Sequence, residues 1–350
     1  MQSLDLDLYR RTAALSPSEV HAKGVSGRRR EIRRSTKAMA SVVTAQVLGP
    51  IGDSAAGPRI EVAIGRAFDE FRAVERHCSR FDETSALMRA NRDPWRWHRV
   101  PEPLYSVVVE AMAAHRRTGG LFDPRIYDRL VELGYDRSFH LLLAEQTGSG
   151  VCPPAPDPVA HGPGRGWQPR AVPVLRLINL GGARIDLGGI GKGMAIRKGA
   201  ARIRPAAGDF LLDAGGDIYA AGAPMDAQGW RVGVESPSGS ELPVAVLEIS
   251  DKAVATSSIR VRSWKRGEQP VHHLIDPRTG EPGGDGLAAV TVVDADPVMA
   301  ETAAKSLFIS GRESIADRAS ALDLAALWVS ADGVTGMSTA IEPFVIWTDA

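Results

Sequence analysis

The residues Asp186–Gly193 read DLGGIGKG, a stretch in which four of the eight positions are glycine. It lies between the short apolar run Ile185–Leu187 and a predicted helix at Gly193–Arg204. Glycine lets the backbone pass close to a ligand, and the amides at a helix N-terminus favour an anion. Lys192 adds a point charge that suits phosphate. The stretch therefore predicts a phosphate-binding strand-to-helix turn, and a plain glycine turn with a surface lysine is the alternative.

Two common nucleotide-binding motifs are excluded at this turn. A Walker loop would need glycine at Asp186 and Ser or Thr at Gly193. The dinucleotide pattern G-x-G-x-x-G does not fit the spacing of the glycines either. The turn therefore predicts an anion site without naming the ligand.

The chain around the turn carries short apolar runs separated by glycine, which are typical of antiparallel strands. Apolar residues at helical spacing predict helices on both sides of it. Because strands and helices do not alternate strictly, the order favours an α+β fold of mostly antiparallel sheets with flanking helices. The predicted strands are Met39–Leu48, Val174–Leu180, Ile185–Leu187, Phe210–Asp213, Trp230–Glu235, Val244–Ile249, Leu287–Val293, Ala325–Ser330 and Met337–Ile341. The predicted helices lie within Glu61–Asn91 and at Pro103–Arg117, Pro124–Leu133, Gly193–Arg204, Pro297–Ser310 and Arg312–Ala319.

A Pro- and Gly-rich segment at residues 146–173 is expected to be a long surface loop. It predicts a boundary between an N-terminal lobe at residues 38–145 and a C-terminal lobe at residues 174–350, which carries the glycine-rich turn. Residues 1–37 end in a basic stretch and are expected to be a disordered arm.

The composition of the 350-residue chain excludes several classes of protein. Its 42 basic and 42 acidic side chains give a net charge of zero, so no nucleic-acid partner is expected. Two cysteines, Cys78 and Cys152, cannot build a disulfide framework or a four-ligand zinc site. No apolar run approaches the roughly 18–20 residues that span a bilayer, and no hydrophobic signal segment follows the N-terminal arginines. A cytoplasmic protein without a membrane span is expected.

Four further segments combine turn residues with polar side chains. Neighbouring residues on a strand face opposite ways, so one of His272 and His273 is expected to face a ligand and the other solvent. A lone histidine on a strand is more often structural than functional. The segments are Thr118–Pro124 (TGGLFDP), Asp213–Asp217 (DAGGD), Ala255–Ser258 (ATSS) and His272–Gly280 (HHLIDPRTG).

Eight segments, taken in order along the chain, resemble the FAD:protein FMN transferase family, also called ApbE. The resemblance spans about Met39 to Ile341, and the order and spacing make it more specific than any single motif. The segments are Met39–Ser41, the run Ser79–Asn91, TGGLFDP, DLGGIGKG, DAGGD, ATSS, HHLIDPRTG with Glu281-Pro282, and Ala300–Gly311.

The resemblance implies an α+β fold in which two lobes surround a flavin site. Members of the family bind FAD and a divalent metal, usually magnesium, move FMN onto a Ser or Thr hydroxyl of a target protein, and release AMP. By position, the residues that match FAD contacts are Met39, Phe81, Leu121, Phe122, Asp123, Asp186 and Lys192.

The resemblance also implies catalytic roles for two residues. His273 matches the histidine of the family's HIIDP motif, which implies that it assists deprotonation of the acceptor hydroxyl. Lys192 would supply positive charge to the phosphate that is transferred. Phe81 stands where many members have tyrosine, so it keeps a stacking surface and lacks the hydroxyl.

The sequence departs from the family at the metal-binding pair. The family's helix reads A-D-x-x-x-T, and its Asp and Thr hold the metal together with a backbone carbonyl that corresponds to Gly189. Glu301 and Lys305 stand at those two positions here, and a protonated lysine cannot ligate a metal. Three arrangements are open. Lys305 takes the place of the cation beside Glu301 and the diphosphate, a metal still binds Glu301 and Gly189 while Lys305 turns away, or the pair is a helix salt bridge without a ligand.

Two functions are therefore predicted. The first is transfer of FMN from FAD to an acceptor protein with a Ser or Thr site. The alternative is an FAD-binding protein or FAD pyrophosphatase of the same family, in which transfer is lost or independent of metal. Both imply FAD, the need for magnesium is open, and Glu301 and Lys305 are the residues that separate the two.

Overall fold

An antiparallel sheet of eight strands forms the centre of the protein. The computed structural model describes residues 29–51, 53–137, 166–224, 227–266 and 269–349. The strands are β1 (Arg29–Ala38), β2 (Ser41–Pro50), β3 (His98–Arg99), β4 (Arg170–Val172), β5 (Leu177–Asn179), β6 (Asp209–Ala214), β7 (Asp217–Ala221), β8 (Trp230–Val234), β9 (Ala245–Ile249), β10 (Lys252–Ser258), β11 (Ser263–Arg266), β12 (Gln269–His272), β13 (Leu287–Asp294), β14 (Ala325–Ser330), β15 (Thr335–Met337) and β16 (Val345–Thr348).

The central sheet has the strand order β1-β2-β6-β7-β10-β13-β14-β15. Three smaller sheets have the orders β3-β5-β4, β16-β9-β8 and β11-β12. Every pairing of these named strands is antiparallel. The mostly antiparallel α+β fold predicted from the sequence is confirmed.

Helices pack against the strands of the central sheet. None of the helices in the described ranges is long and apolar enough to cross a membrane. The helices are α1 (Ala56–Cys78), α2 (Ala86–Arg92), α3 (Glu102–Arg117), α4 (Tyr127–Glu132), α5 (Gly191–Ile203), α6 (Pro297–Ser310) and α7 (Arg312–Ala321), with 3₁₀ turns at Pro124–Ile126 and Thr339–Phe344.

The basic N-terminal stretch is a strand from Arg29 onward, so the expectation of a disordered arm is wrong for residues 29–37. β1 pairs with β2 along its whole length, from Arg29↔Pro50 to Ala38↔Ser41. Ile32 and Ala38 are buried, while the arginines keep this edge of the sheet charged, which discourages pairing with another chain. Residues 1–28 lie outside the described residues.

The parts of the chain on either side of the predicted loop share one sheet and one core. β2, which precedes it, pairs with β6, which follows it. α1 and α5 also pack closely, since a Cβ added at Gly199 of α5 would lie 3.3 Å from the ring of Phe71 on α1. Residues 146–165 of the predicted loop lie outside the described residues, and Arg170–Val172 form β4.

Two predicted strands are not formed as expected, because side chains make hydrogen bonds to the backbone there. Ile185–Leu187 has no strand partner, because Asn91 donates to the carbonyl of Ile185 at 2.9 Å and accepts from its amide at 3.0 Å. The predicted strand Met337–Ile341 ends at Met337, and a 3₁₀ turn follows. Ser338 breaks the ladder there, since its hydroxyl accepts from the amide of Ala326 and donates to the carbonyl of Leu324.

Candidate functional site

A cavity of about 840 Å³ opens beside the glycine-rich turn. Its walls include this turn, the tips of two hairpins, the segments after α1 and α3, parts of β8 and β10, the loop after β12 and the middle of α6. The structure brings all the site residues singled out from the sequence to this one cavity. They are Met39, Phe81, Leu121, Phe122, Asp123, Asp186, Gly189, Lys192, His273, Glu301 and Lys305.

Two neighbouring hairpin tips form one wall of the cavity. The β1–β2 hairpin turns through Met39 and Ala40, whose φ angles of 54° and 55° are both positive. Non-glycine residues in this conformation cost roughly 1–2 kcal/mol each, so the turn is a strained one that places Met39 at the cavity. The β6–β7 hairpin turns through Gly215 and Gly216 beside it, where a Cβ on Gly215 would lie 2.7 Å from the Ser41 hydroxyl.

The glycines of the central turn make room for protein atoms. A Cβ on Gly189 would lie 3.2 Å from both Lys305 Cε and the Phe122 ring, and one on Gly191 would lie 3.1 Å from Met39 Cε. A Cβ on Gly193 would lie 2.7 Å from the carbonyl of Pro297, at the start of α6. The glycines therefore let α5 approach α6 and the cavity walls closely.

Lys192 is paired with a carboxylate that the sequence did not single out as a site residue. Its ammonium forms a salt bridge with Asp217, at the start of β7. Asp217 is buried, with 4% of its surface exposed, and it also accepts from the amide of Thr256 at 3.3 Å. Lys192 is thus held at the cavity wall by the DAGGD turn.

Asp186 anchors a buried arginine that sequence analysis missed. Asp186 accepts from Arg80 Nε at 2.9 Å and from the amide of Gly188 at 2.9 Å. The Arg80 guanidinium lies 4.1 Å from the centre of the Phe81 ring and 4.3 Å from that of Tyr135. Its Nη2 is buried and has no hydrogen-bond partner among the described residues. The one sequence signal that could have singled out Arg80 as a site residue is its position next to Phe81, because the chain contains many arginines.

The segment after α3 presents Leu121 and Phe122 to the cavity, and Asp123 holds it in shape. The Phe122 amide donates to the hydroxyl of Thr118 at 3.0 Å. Asp123 caps the 3₁₀ turn that follows, since it accepts from the amide and the guanidinium of Arg125. Asp123 is therefore engaged by Arg125 of its own turn, and its Oδ2 also lies 3.7 Å from Nδ1 of His115 on α3.

The altered pair on α6 is buried and in contact with the glycine-rich turn. Glu301 is 1% exposed, and its Oε2 accepts from the amide of Gly193 at 2.7 Å. Its Oε1 accepts from Lys305 Nζ at 3.2 Å. The N-terminus of a helix favours a negative charge, and the Glu301 carboxylate supplies part of that charge at α5. Lys305 runs along Gly189, so its ammonium is at the cavity rather than turned away.

His273 is on the cavity wall in a form that can accept a proton. Its Nδ1 lies 3.2 Å from the carbonyl oxygen of Arg262, and because a carbonyl can only accept, Nδ1 carries the proton in this bond. Nε2 then keeps its lone pair. Burial lowers the pKa of His273 well below its usual range, and the charges of Arg262 and Lys305 lower it further.

His272 is half-buried rather than freely exposed, because it packs against α6. Its ring packs edge-on against Phe308 of α6, with ring centres 6.0 Å apart, and its Nδ1 accepts from the amide of Leu274 at 3.3 Å. Burial lowers the pKa of His272 to about 4. His272 has a structural position, while its neighbour lines the cavity.

The lowered pKa of His272 predicts a loss of stability in acid. Below the usual histidine pKa of about 6.5, the unfolded chain takes up a proton that the folded one does not. The free energy of unfolding should therefore fall by up to about 1.4 kcal/mol per pH unit between pH 6.5 and 4 because of this residue. His272→Asn keeps an acceptor for Leu274 and should flatten the dependence in denaturant titrations at several pH values. Equal slopes for the two proteins would contradict this.

A family model described as the ApbE family matches residues 39–328. The chain belongs to the ApbE family. The match covers all the walls of the cavity, from the Met39 turn to the Glu301–Lys305 pair.

Curated relatives of this ApbE-family chain carry the name FAD:protein FMN transferase. The protein from Treponema pallidum is 27% identical over 236 residues, which are 61% of this chain and 61% of that protein. The protein from Salmonella typhimurium is 26% identical over 284 residues, or 77% of each chain. The chain thus aligns with about three fifths of the first relative's length and about three quarters of the second's.

Solved ApbE structures share the fold. The ApbE protein of Thermotoga maritima matches with a TM-score of 0.73 at 22% identity, over 90% of this chain and 99% of that one. The flavinyl transferase ApbE of Pseudomonas stutzeri matches with a TM-score of 0.71 at 19% identity, over 92% and 100%. The ApbE-like architecture predicted from the sequence is confirmed.

Proposed function

We propose that the protein transfers FMN from FAD to a Ser or Thr hydroxyl of an acceptor protein and releases AMP. The observation that carries this proposal is the shared cavity, where His273, whose Nδ1 bonds the Arg262 carbonyl, and the lysines of the glycine-rich turn and α6 line the same walls. Family membership and the names of the relatives support it. The proposal includes a cytoplasmic location for the protein and its acceptor.

The reaction needs a base, positive charge and positioning. The acceptor oxygen attacks the phosphorus of the FMN half of the diphosphate, an O–P bond forms, and the bond to the AMP oxygen breaks. His273 Nε2 takes the hydroxyl proton, and AMP leaves with the bonding electron pair. Lys192 and Lys305 stabilise the charge that develops on the phosphate oxygens.

We infer that Lys305 takes the place of a divalent cation. Its ammonium uses one hydrogen bond, to Glu301, within the described part of the chain, which leaves donors for a diphosphate oxygen. Both carboxylate oxygens of Glu301 are already engaged. No group of three or more His, Cys, Asp or Glu that could hold a metal is present among the described residues. These contacts do not fit a magnesium ion between Gly189 and Glu301.

The second candidate function is hydrolysis of FAD to FMN and AMP, with water in place of the acceptor hydroxyl. The observation that favours it is the same altered pair on α6. A transfer assay separates the two: the protein is incubated with FAD and a peptide carrying a Ser or Thr site, and covalent flavin is read by in-gel fluorescence. The matched control is the peptide with Ala at that site.

Transfer predicts a fluorescent peptide with Ser or Thr and none with Ala, both with and without a chelator. FMN and AMP in solution with an unlabelled peptide would support hydrolysis. Unchanged FAD with every peptide would contradict both.

Lys192 is expected to contribute to FAD binding. Its removal alone would also leave the buried carboxylate of Asp217 without its salt-bridge partner. Breaking a buried ion pair from one side costs roughly 3–5 kcal/mol of stability. The informative variant is therefore Lys192→Ala with Asp217→Asn, which removes both charges. Loss of a charged hydrogen bond to phosphate should weaken FAD binding about tenfold or more, measured by quenching of flavin fluorescence.

The control for this variant is Lys198→Ala on the same helix, whose lysine pairs with Glu102 away from the cavity. Its FAD affinity should equal that of the unmodified protein. Equal affinity in the double variant would reject the role given to Lys192.

A further inference from the structure

The small sheet β3-β5-β4 presents an apolar and basic surface to solvent. Its inner side carries Ile178, which is fully buried. Side chains alternate along a strand, and Arg99, Leu177 and Val172 share the opposite side because Leu177 is paired with both of the others. Trp97 directly precedes β3 and is 42% exposed.

Large apolar side chains extend this surface at the ends of the strands. Trp95 is 74% exposed, Val174 is 92% exposed and Leu175 is 53% exposed. Grouped exposure of this kind marks an interaction site more often than scattered single residues do. We call Trp95, Trp97, Arg99, Val172, Val174 and Leu175 the tryptophan–arginine face.

The exposed residues of this face are held in place by backbone contacts. The Trp95 carbonyl accepts from the side chain of Asn179, and its ring lies so close to Gly182 that an added Cβ there would be 2.2 Å from it. The turn that carries Val174 and Leu175 is closed by a bond from the Arg176 amide to the Pro173 carbonyl at 3.1 Å. The apolar groups are therefore presented by a fixed scaffold.

The two chain segments that carry this face contain charged residues of one sign. Residues 94–100 and 166–182 contain four arginines, at 96, 99, 170 and 176, and no Asp or Glu. Asp93 and Glu102 flank the first of these segments, and Glu102 is engaged by Lys198. The whole chain has a net charge of zero, so this is a local excess of positive charge.

We propose that the tryptophan–arginine face binds the surface of an anionic lipid bilayer. Indole rings favour the boundary between headgroups and acyl chains, and arginines next to it bind lipid phosphates and gain from the negative surface potential. Val174 and Leu175 would enter the outer acyl region without a membrane-spanning segment. The cavity and its chemistry are not required for this contact.

Vesicle co-sedimentation tests the proposal with the full chain. Phosphatidylcholine vesicles are compared with vesicles that also contain phosphatidylglycerol, at low and high salt. Binding should require the anionic lipid and weaken with salt. Arg96→Glu with Arg99→Glu should lower the partition coefficient at least about 25-fold, since each arginine near an anionic surface contributes roughly a factor of five. Val174→Asp with Leu175→Asp should abolish the blue shift of tryptophan fluorescence on binding.

The matched controls are Arg66→Glu and Val334→Asp, which change an exposed arginine and an exposed turn valine elsewhere. Both should bind vesicles like the unmodified protein, and thermal unfolding should be equal in all variants. Equal sedimentation with neutral and anionic vesicles, or equal loss in the controls, would overturn the proposal. Binding to polyglutamate with none to vesicles would overturn it in favour of an acidic protein partner.

Discussion

His273→Asn should lower the rate constant of FMN transfer by about 10²- to 10⁴-fold, the range that a general base contributes. Asn fills a similar space and still donates to the Arg262 carbonyl, so the loop after β12 should keep its shape. The proton acceptor that faces the cavity is lost. FAD affinity should stay nearly unchanged, because His273 acts on the acceptor hydroxyl and not on the diphosphate. Single-turnover labelling of the acceptor peptide measures the rate constant.

The pH profile of the unmodified protein tests the same assignment. His273 is active when neutral, and its lowered pKa keeps it neutral as pH falls through the usual histidine range. The transfer rate should therefore stay level from pH 8 to pH 6, where an unperturbed histidine would lose activity. The control is His272→Asn, which should transfer FMN at the normal rate. Full activity of His273→Asn, or loss of activity in the control, would show that the assignment is wrong.

Lys305→Thr with Glu301→Asp should convert the protein to magnesium-dependent FAD binding. In the unmodified protein, a magnesium ion about 4 Å from the Lys305 ammonium would be repelled by roughly 8 kcal/mol at an effective dielectric constant of about 20. The double variant removes this repulsion and supplies oxygen ligands of the kind that magnesium prefers. Its FAD affinity should rise about tenfold or more when magnesium is added, as measured by flavin fluorescence quenching.

The control for metal dependence is Glu301→Asp alone, which keeps the lysine and should gain no response to magnesium. Isothermal titration with magnesium chloride provides a readout that does not depend on activity. The unmodified protein should show weak magnesium binding and an FAD affinity that survives a chelator. Tight magnesium binding by the unmodified protein, with loss of FAD binding in a chelator, would show that the ordinary metal site persists.

The sequence predicts regular elements best where local signals and tertiary packing agree. Pro297–Ser310 has the predicted bounds, because Asp296 caps it with its side chain and proline occupies its first turn. β1 escaped prediction because its hairpin turns through Met39 and Ala40 rather than the Asn-Gly or Gly-Gly pairs that mark such turns. The strand Arg29–Ala38 therefore looked like an isolated basic stretch.

The candidate site was predictable as a set of residues, while their partners were not. The spacing of the motifs marked Lys192 and Asp186, but nothing in one sequence pairs Lys192 with Asp217 or Asp186 with Arg80. Such pairs join residues far apart in the chain. Likewise, alternation along a strand predicted that one of the two histidines faces a ligand, and the family resemblance selected His273. Neither could show that the ring of Phe308 packs against His272.

The most direct test of the proposed function is the intact mass of an acceptor protein after incubation with FAD and a chelator, measured together with the AMP released. Transfer through this cavity predicts that the acceptor gains the mass of one FMN less one water at a Ser or Thr, with one AMP released for each label. It also predicts that His273→Asn suppresses both signals. AMP release with an acceptor of unchanged mass would contradict the proposal and identify hydrolysis of FAD instead.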